Sequence, residues 1–149
     1  MLGTLDMPQA ADNQTYETIL AFDFGLKRIG VAVGQSITQT AQPLPLLKAQ
    51  DGAPKWDEVQ QLIEKWQPQL LLVGVPLHMD GSEQDVTRFA RRFGNRLNGR
   101  FHLPVQWVDE RLTSYEAETI LSELDFKSAN DKIGVDSVSA MLILEQWFR

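Results

Sequence analysis

The sequence contains no cysteine. That absence removes disulfides, thiolate zinc sites, iron–sulfur clusters and a cysteine nucleophile together. Histidine is nearly as scarce: only His78 and His102 occur, which excludes a histidine-rich metal site. A Ser–His–Asp triad would need one of these two, and neither lies in a recognisable nucleophile motif. His78 reads as a solvated loop residue, and His102, beside Leu103-Pro104, as a surface or strand-entry residue. Long apolar runs are also missing. The longest, Leu70-Leu71-Leu72-Val73-Gly74-Val75, falls far short of the roughly 18 residues that a spanning helix needs. The first residues, Met1-Leu2-Gly3-Thr4-Leu5-Asp6, lack the basic start and apolar centre of a signal peptide, so the expectation is a cytoplasmic protein with no membrane partner. A surplus of positive charge is lacking too. Twenty acids face 14 lysines and arginines, for a net charge of −6 and a pI near 4.8, which by itself argues against an electrostatic nucleic-acid binder.

What remains abundant is carboxylate and arginine chemistry on an ordinary globular background. The 149 residues are 43% apolar and 23% charged, which suits one domain with one core. Residues 1–17 show no periodicity and read as a loose tail, leaving a single domain over 18–149. Residues 18–24 form an apolar run expected as a strand buried on both faces, and residues 28–34 as its hairpin partner through Gly25-Leu26-Lys27. A third strand is expected over 43–47, at an edge because prolines flank it. Trp56, Val59, Leu62, Ile63 and Trp66 recur at helical spacing, stopped by Pro68. A buried strand over 70–75, a helix over 84–97, a strand over 105–108 and helices over 114–124 and 136–148 complete the pattern. The order βββαβαβαα implies an α/β fold: a mixed five-stranded sheet with helices on both faces. Trp56, Trp66, Trp107 and Trp147 stand at core-like spacings and read mostly as packing.

Three acids stand out against this frame. In Ile19-Leu20-Ala21-Phe22-Asp23-Phe24, alternation puts Asp23 on the face of Ile19 and Ala21. A carboxylate there must be paired, protonated or bound to a cation; the bland alternative is a strand-end aspartate accepting from turn amides at Gly25. Glu110 follows a strand in Val108-Asp109-Glu110-Arg111, at the edge where open α/β sheets usually build sites. Helix entry explains Thr113, Ser114 and Glu116 but not the acids before them. Asp136 aligns on a helical wheel with Ala140, Ile143 and Trp147, although aspartate after Gly134 also suits an N-cap. Three acids from separated segments suit a hard cation such as Mg²⁺, and a pair of such ions can clamp a phosphodiester for in-line attack.

The run Asp23-Phe24-Gly25-Leu26-Lys27-Arg28-Ile29-Gly30-Val31-Ala32-Val33-Gly34 resembles the opening motif of the YqgF (RuvX) family, which is related to the Holliday junction resolvase RuvC. The resemblance continues through Val73-Gly74-Val75-Pro76-Leu77 with Asp80-Gly81-Ser82, then Asp109-Glu110-Arg111-Leu112-Thr113, then Val135-Asp136-Ser137-Val138-Ser139-Ala140. It implies a ribonuclease H-like fold and a nuclease, described as processing the 5′ end of pre-16S rRNA and earlier as a junction resolvase. It further implies catalytic and metal-binding roles for Asp23, Glu110 and Asp136, with Mg²⁺ or Mn²⁺ as cofactor and precursor 16S rRNA or ribosomal particles as partner. Structured DNA is the alternative substrate, and a non-catalytic RNA- or ribosome-associated factor the alternative without chemistry. Family members often carry a lysine two residues before the last aspartate; Gly134 stands there, leaving Lys132 to substitute. Asp23-x-Gly25 also resembles the first phosphate loop of actin-like ATPases, but those need two such domains, which 149 residues cannot supply.

The acidic balance conceals a local exception. Arg88, Arg91, Arg92, Arg96 and Arg100 occur with no acid among them, and Arg88, Arg91, Arg92 and Arg96 lie opposite the Val86/Phe89/Phe93/Leu97 stripe. Either this is a solvated helix face or Arg88 and Arg92 contact a phosphate backbone. Arg28, Arg111 and Lys132 are the expected basic contacts nearer the acids.

Overall fold

The computed structural model describes residues 16–75, 84–109 and 134–149. Nine elements follow in chain order: β1 Thr18–Asp23, β2 Arg28–Gln35, β3 Thr40–Gln50, β4 Ala53–Pro54, α1 Trp56–Trp66, β5 Leu70–Val75, α2 Asp85–Phe101, β6 Val105–Asp109 and α3 Val135–Phe148. The expected helix over 114–124 lies outside the described residues.

The strands form one mixed sheet in the order β4-β3-β2-β1-β5-β6. The hairpin β1/β2 and the pair β2/β3 are antiparallel, whereas β5 joins β1, and β6 joins β5, in parallel. The sheet thus has six strands where the sequence pattern suggests five. The extra one is the two-residue β4, which pairs Ala49 and Gln50 and is too short for any periodicity to reveal. β3 is also longer than expected. Its outer edge meets only β4 among the described strands, so Pro43 and Pro45 can sit within it without breaking an interior ladder.

Alternation along the strands builds two cores. Leu20, Phe22, Ile29, Val31, Leu71 and Val73 face α1 and α2, where Phe93 meets Phe22 edge-on at 5.5 Å and stacks with Trp56 at 5.8 Å. Trp107 joins this core over Gly94, where a Cβ would lie 2.2 Å from the indole. Ile19, Ala21, Ala32, Leu70 and Leu72 face the other way, against Ala140, Ile143 and Leu144 of α3. Helices therefore cover both faces, and all four tryptophans pack against one core or the other. α3 also buries Val138 and Leu142 on a second side, so most of its surface is enclosed.

Two boundaries differ from the sequence reading. Tyr16 is buried in the α3-side core, its carbonyl accepts from Ser36 Oγ, and the Glu17 carbonyl accepts from the Ser36 N–H at 3.0 Å. The domain thus takes in Tyr16 and Glu17, which polar neighbours assign to the tail. α2 continues to Phe101, four residues past the expected end. Its last turn is held by Trp56, which contacts Phe101 and lies under the Arg100 guanidinium at 4.5 Å.

Two glycines give opposite expectations. A Cβ on Gly30 would lie 1.9 Å from the Asp136 carbonyl oxygen, a backbone atom that cannot swing aside. Gly30→Ala should destabilise the domain by about 3 kcal/mol in urea unfolding. Gly99 lies in α2 with nothing within 4 Å of its virtual Cβ, so Gly99→Ala should stabilise by about 0.5–1 kcal/mol.

Candidate functional site

Asp23 ends β1, on the α3 side of the sheet with Ile19 and Ala21. Its residue is only 5% exposed, and its carboxylate has no hydrogen bond or ion pair to any described residue. Both cross-strand neighbours are glycines: Gly30 in β2 and Gly74 in β5. The carboxylate therefore stands at the sheet edge between two positions without side chains.

The start of α3 occupies the space over Gly30. Gly134 is the N-cap in extended conformation, and its carbonyl accepts from the Ser137 and Val138 N–H groups at 3.1 and 3.2 Å. Asp136 is accordingly a first-turn residue and not the cap. The Val31 N–H donates to Ser137 Oγ at 3.2 Å, where the β2–β3 register shifts, and this bond ties the helix start to β2. The Asp136 backbone thus rests on Gly30, the direct partner of Asp23. Two of the three expected acids come together on one face of the sheet, although they are 113 positions apart in sequence (136 − 23).

Arg28 joins them. Its Nε lies 3.3 Å from Asp136 Oδ2, with the arginine side chain 67% and the aspartate side chain 28% exposed. Burial pushes the Asp136 carboxyl above its ordinary value, and the charge and hydrogen bond of Arg28 offset this only in part. Lys48, which the sequence reading misses, pairs directly across from Arg28 and is exposed on the same face. The expected strand over 43–47 stops before Lys48, and the bulge beyond Pro45 disguises its alternation.

Asp109 goes elsewhere. It pairs with Val75, and the alternation of β6 gives it to the α1/α2 face, whereas Val108 is on the face of Asp23. Glu110, Arg111 and Lys132 lie outside the described residues, as does His78. Among the described residues no three Asp, Glu, His or Cys side chains cluster. Arg88 and Arg92 are exposed on α2, on the opposite side of the sheet from Asp23 and Asp136, so the fold does not bring them together with the acids.

The donor set fits a hard divalent cation. Asp23 offers a nearly buried carboxylate with no described partner, Asp136 a second one only partly compensated, and such ions take oxygen ligands while keeping water. Without metal, the raised Asp136 value has a defined consequence. The protonated form suits the fold better, so its contribution is full below the ordinary carboxylate range and is lost as pH rises through the raised value. Metal-free Asp136→Asn should therefore melt above the parent at pH 7, and the difference should vanish as pH falls below 3.8. Thermal scans at both pH values check this.

Comparison with known proteins bears on the fold and the family. Residues 17–149 match the family model RuvX, described as Holliday junction resolvase. A relative from Actinobacillus succinogenes, named "Putative pre-16S rRNA nuclease", is 57% identical over 131 residues, covering 88% of this chain and 94% of its own length. One of the same name from Shewanella denitrificans is 56% identical over 132 residues, covering 89% and 94%. Among solved structures, T. thermophilus RuvC in complex with a Holliday junction superposes with a TM-score of 0.52 at 15% identity, over 88% of this chain and 92% of that one. Fowlpox virus resolvase with junction DNA gives 0.50 at 12% identity, over 88% and 95%. The structural likenesses show a shared resolvase-type fold, and the family match together with the close relatives shows that this chain belongs to the RuvX family.

Proposed function

We propose that this protein is a divalent-metal-dependent nuclease that hydrolyses phosphodiester bonds of RNA, acting in the cytoplasm on the 5′ end of precursor 16S rRNA. The observation that carries the reading is Asp23: a nearly buried carboxylate, without a described partner, beside a strand on which the Asp136 segment rests. The names of the relatives support precursor rRNA as substrate.

Asp23 and Asp136, with Glu110 as the third acid, would hold Mg²⁺ or Mn²⁺. Such an ion, when bound, supplies Lewis-acid stabilisation of the phosphodiester and a more acidic water for in-line attack. The role of Glu110 rests on the family resemblance. Arg28 orients the Asp136 carboxylate through Nε, and its remaining donors are free to face a phosphate. Lys27 and Lys48 extend that basic edge. Arg111, adjacent to Glu110, is assigned to the phosphate being cut, and Lys132 to the flanking backbone.

A second reading, cleavage of four-way DNA junctions, is favoured by the description of the family. It requires two sites related by a dimer axis. Purified protein with Mg²⁺ or Mn²⁺ should therefore be offered a 5′-extended 16S precursor, single-stranded RNA and a DNA junction in parallel. The precursor should be cut. Cutting of the junction alone would move the substrate assignment to DNA.

Asp23→Asn, Glu110→Gln and Asp136→Asn should each reduce cleavage by at least about 100-fold without lowering the melting temperature of the metal-free protein, because each removes one member of a like-charged set. Full activity in Asp23→Asn would overturn the site. Arg111→Ala should slow single-turnover cleavage more than it weakens binding.

A further inference from the structure

Five of the chain's 14 lysines and arginines fall between residues 88 and 100, a stretch without a single acid in a protein of net charge −6. Arg88, Arg92, Arg96 and Arg100 recur every four residues, so they wind along α2 over about 18 Å. With Arg91 and Asn95 they line an open groove of about 570 Å³. None of those four forms an ion pair with a described carboxylate. Like charges at this spacing destabilise a helix, and a purely structural surface would be expected to interleave glutamates. Two of the guanidinium groups lie over rings instead: Arg92 is 5.1 Å from the Phe89 centroid and Arg100 4.5 Å from that of Trp56. Both residues remain exposed, so their charge and N–H groups are within reach of phosphate oxygens.

The location of the groove separates it from the acids. α2 covers the face of Leu20 and Phe22, whereas Asp23 and Asp136 are on the face covered by α3. Across the sheet and the thickness of a helix, the two surfaces are roughly 15–20 Å apart. α2 begins beyond the end of β5, at the sheet edge that carries Asp23, so Arg88 is the arginine of the row nearest the acids and Arg100 the farthest.

We propose that the arginine face of α2 is a second docking surface, which grips the phosphate backbone of a stretch of RNA that is not cut. The identity of the polymer rests on the nuclease reading; the existence of the surface does not. A polyanion fits better than an acidic protein, because protein interfaces centre on apolar anchors. The exposed large apolar residues among those described are Leu26 and Ile37, and neither is on α2. An RNA engaged at both surfaces must pass around the sheet edge, so a short RNA can occupy only one of them.

The test uses the full chain carrying Asp23→Asn, so that binding is read without cleavage. Affinity is measured across a salt series for RNAs of about four and about 30 nucleotides. Adding Arg92→Ala with Arg96→Ala should weaken binding of the long RNA at least 10-fold and flatten its log affinity–log salt slope by about 1.4, two contacts at about 0.7 each. Binding of the short RNA should change less than twofold, and the Arg92→Lys, Arg96→Lys pair should recover most of the long-RNA affinity, since lysine retains the charge. An unchanged slope, an equal loss at both lengths, or an acidic peptide outcompeting RNA of equal charge would overturn the proposal. If the parent cuts none of the substrates yet the length-dependent loss appears, the nuclease reading fails and the docking surface stands.

Discussion

The structure depends on one backbone-to-backbone contact: the first turn of α3 resting on Gly30 of β2. No residue larger than glycine fits, because the opposing atoms are a carbonyl and an amide that belong to the helix itself. The approach is completed by small residues on either side, with Ala32 beneath and Ser137, Ser139 and Ala140 above, and by the Val31–Ser137 hydrogen bond. Since Gly30 is also the cross-strand partner of Asp23, the requirement that packs the helix also seats the Asp136 backbone on the residue paired with Asp23. Packing and chemistry are one constraint here, and neither can be altered alone.

The sheet separates two electrostatic regimes. On the α3 side, carboxylates are drawn toward the interior and only partly offset by Arg28, an arrangement that accumulates negative potential where a cation is useful. On the α2 side, guanidinium groups ride outside an aromatic core and face solvent. A chain with an acidic total can thereby present a basic surface to a polyanion, since Arg88, Arg92, Arg96 and Arg100 pair with no acid among the described residues. Net charge is a poor guide to such a molecule, because the sum says nothing of a local row of arginines.

Much of this was legible in the sequence, for identifiable reasons. Asp23 declares itself because strict alternation in β1 leaves an acid on a buried face, and the Asp136 stripe follows from the helical wheel. The outward orientation of the arginines is equally readable, since the apolar stripe opposite them is clean. What a wheel cannot give is the layer to which a helix is assigned, so the separation of the arginines from the acids emerged only from the tertiary structure. Asp136 as a first-turn residue was hidden by its preference for capping, which Gly134 fulfils with backbone alone. Lys48 was hidden by a bulge, Tyr16 by polar neighbours, and β4 by having only two residues.

The Val31–Ser137 bond joins residues 106 positions apart, and α3 is the last described element to leave a ribosome. The sheet's first hairpin is complete after about a quarter of the chain has been made, so Asp23 waits at an open edge while the remaining elements are synthesised. Closing so large a loop is among the slower events of folding, because its entropy must be lost before the contact is gained. The acid pair therefore cannot exist before α3 has been made. For an enzyme that would act on ribosomal RNA, this builds in a delay: the acid pair is completed only after the helix that carries its second member has been made and has closed onto β2.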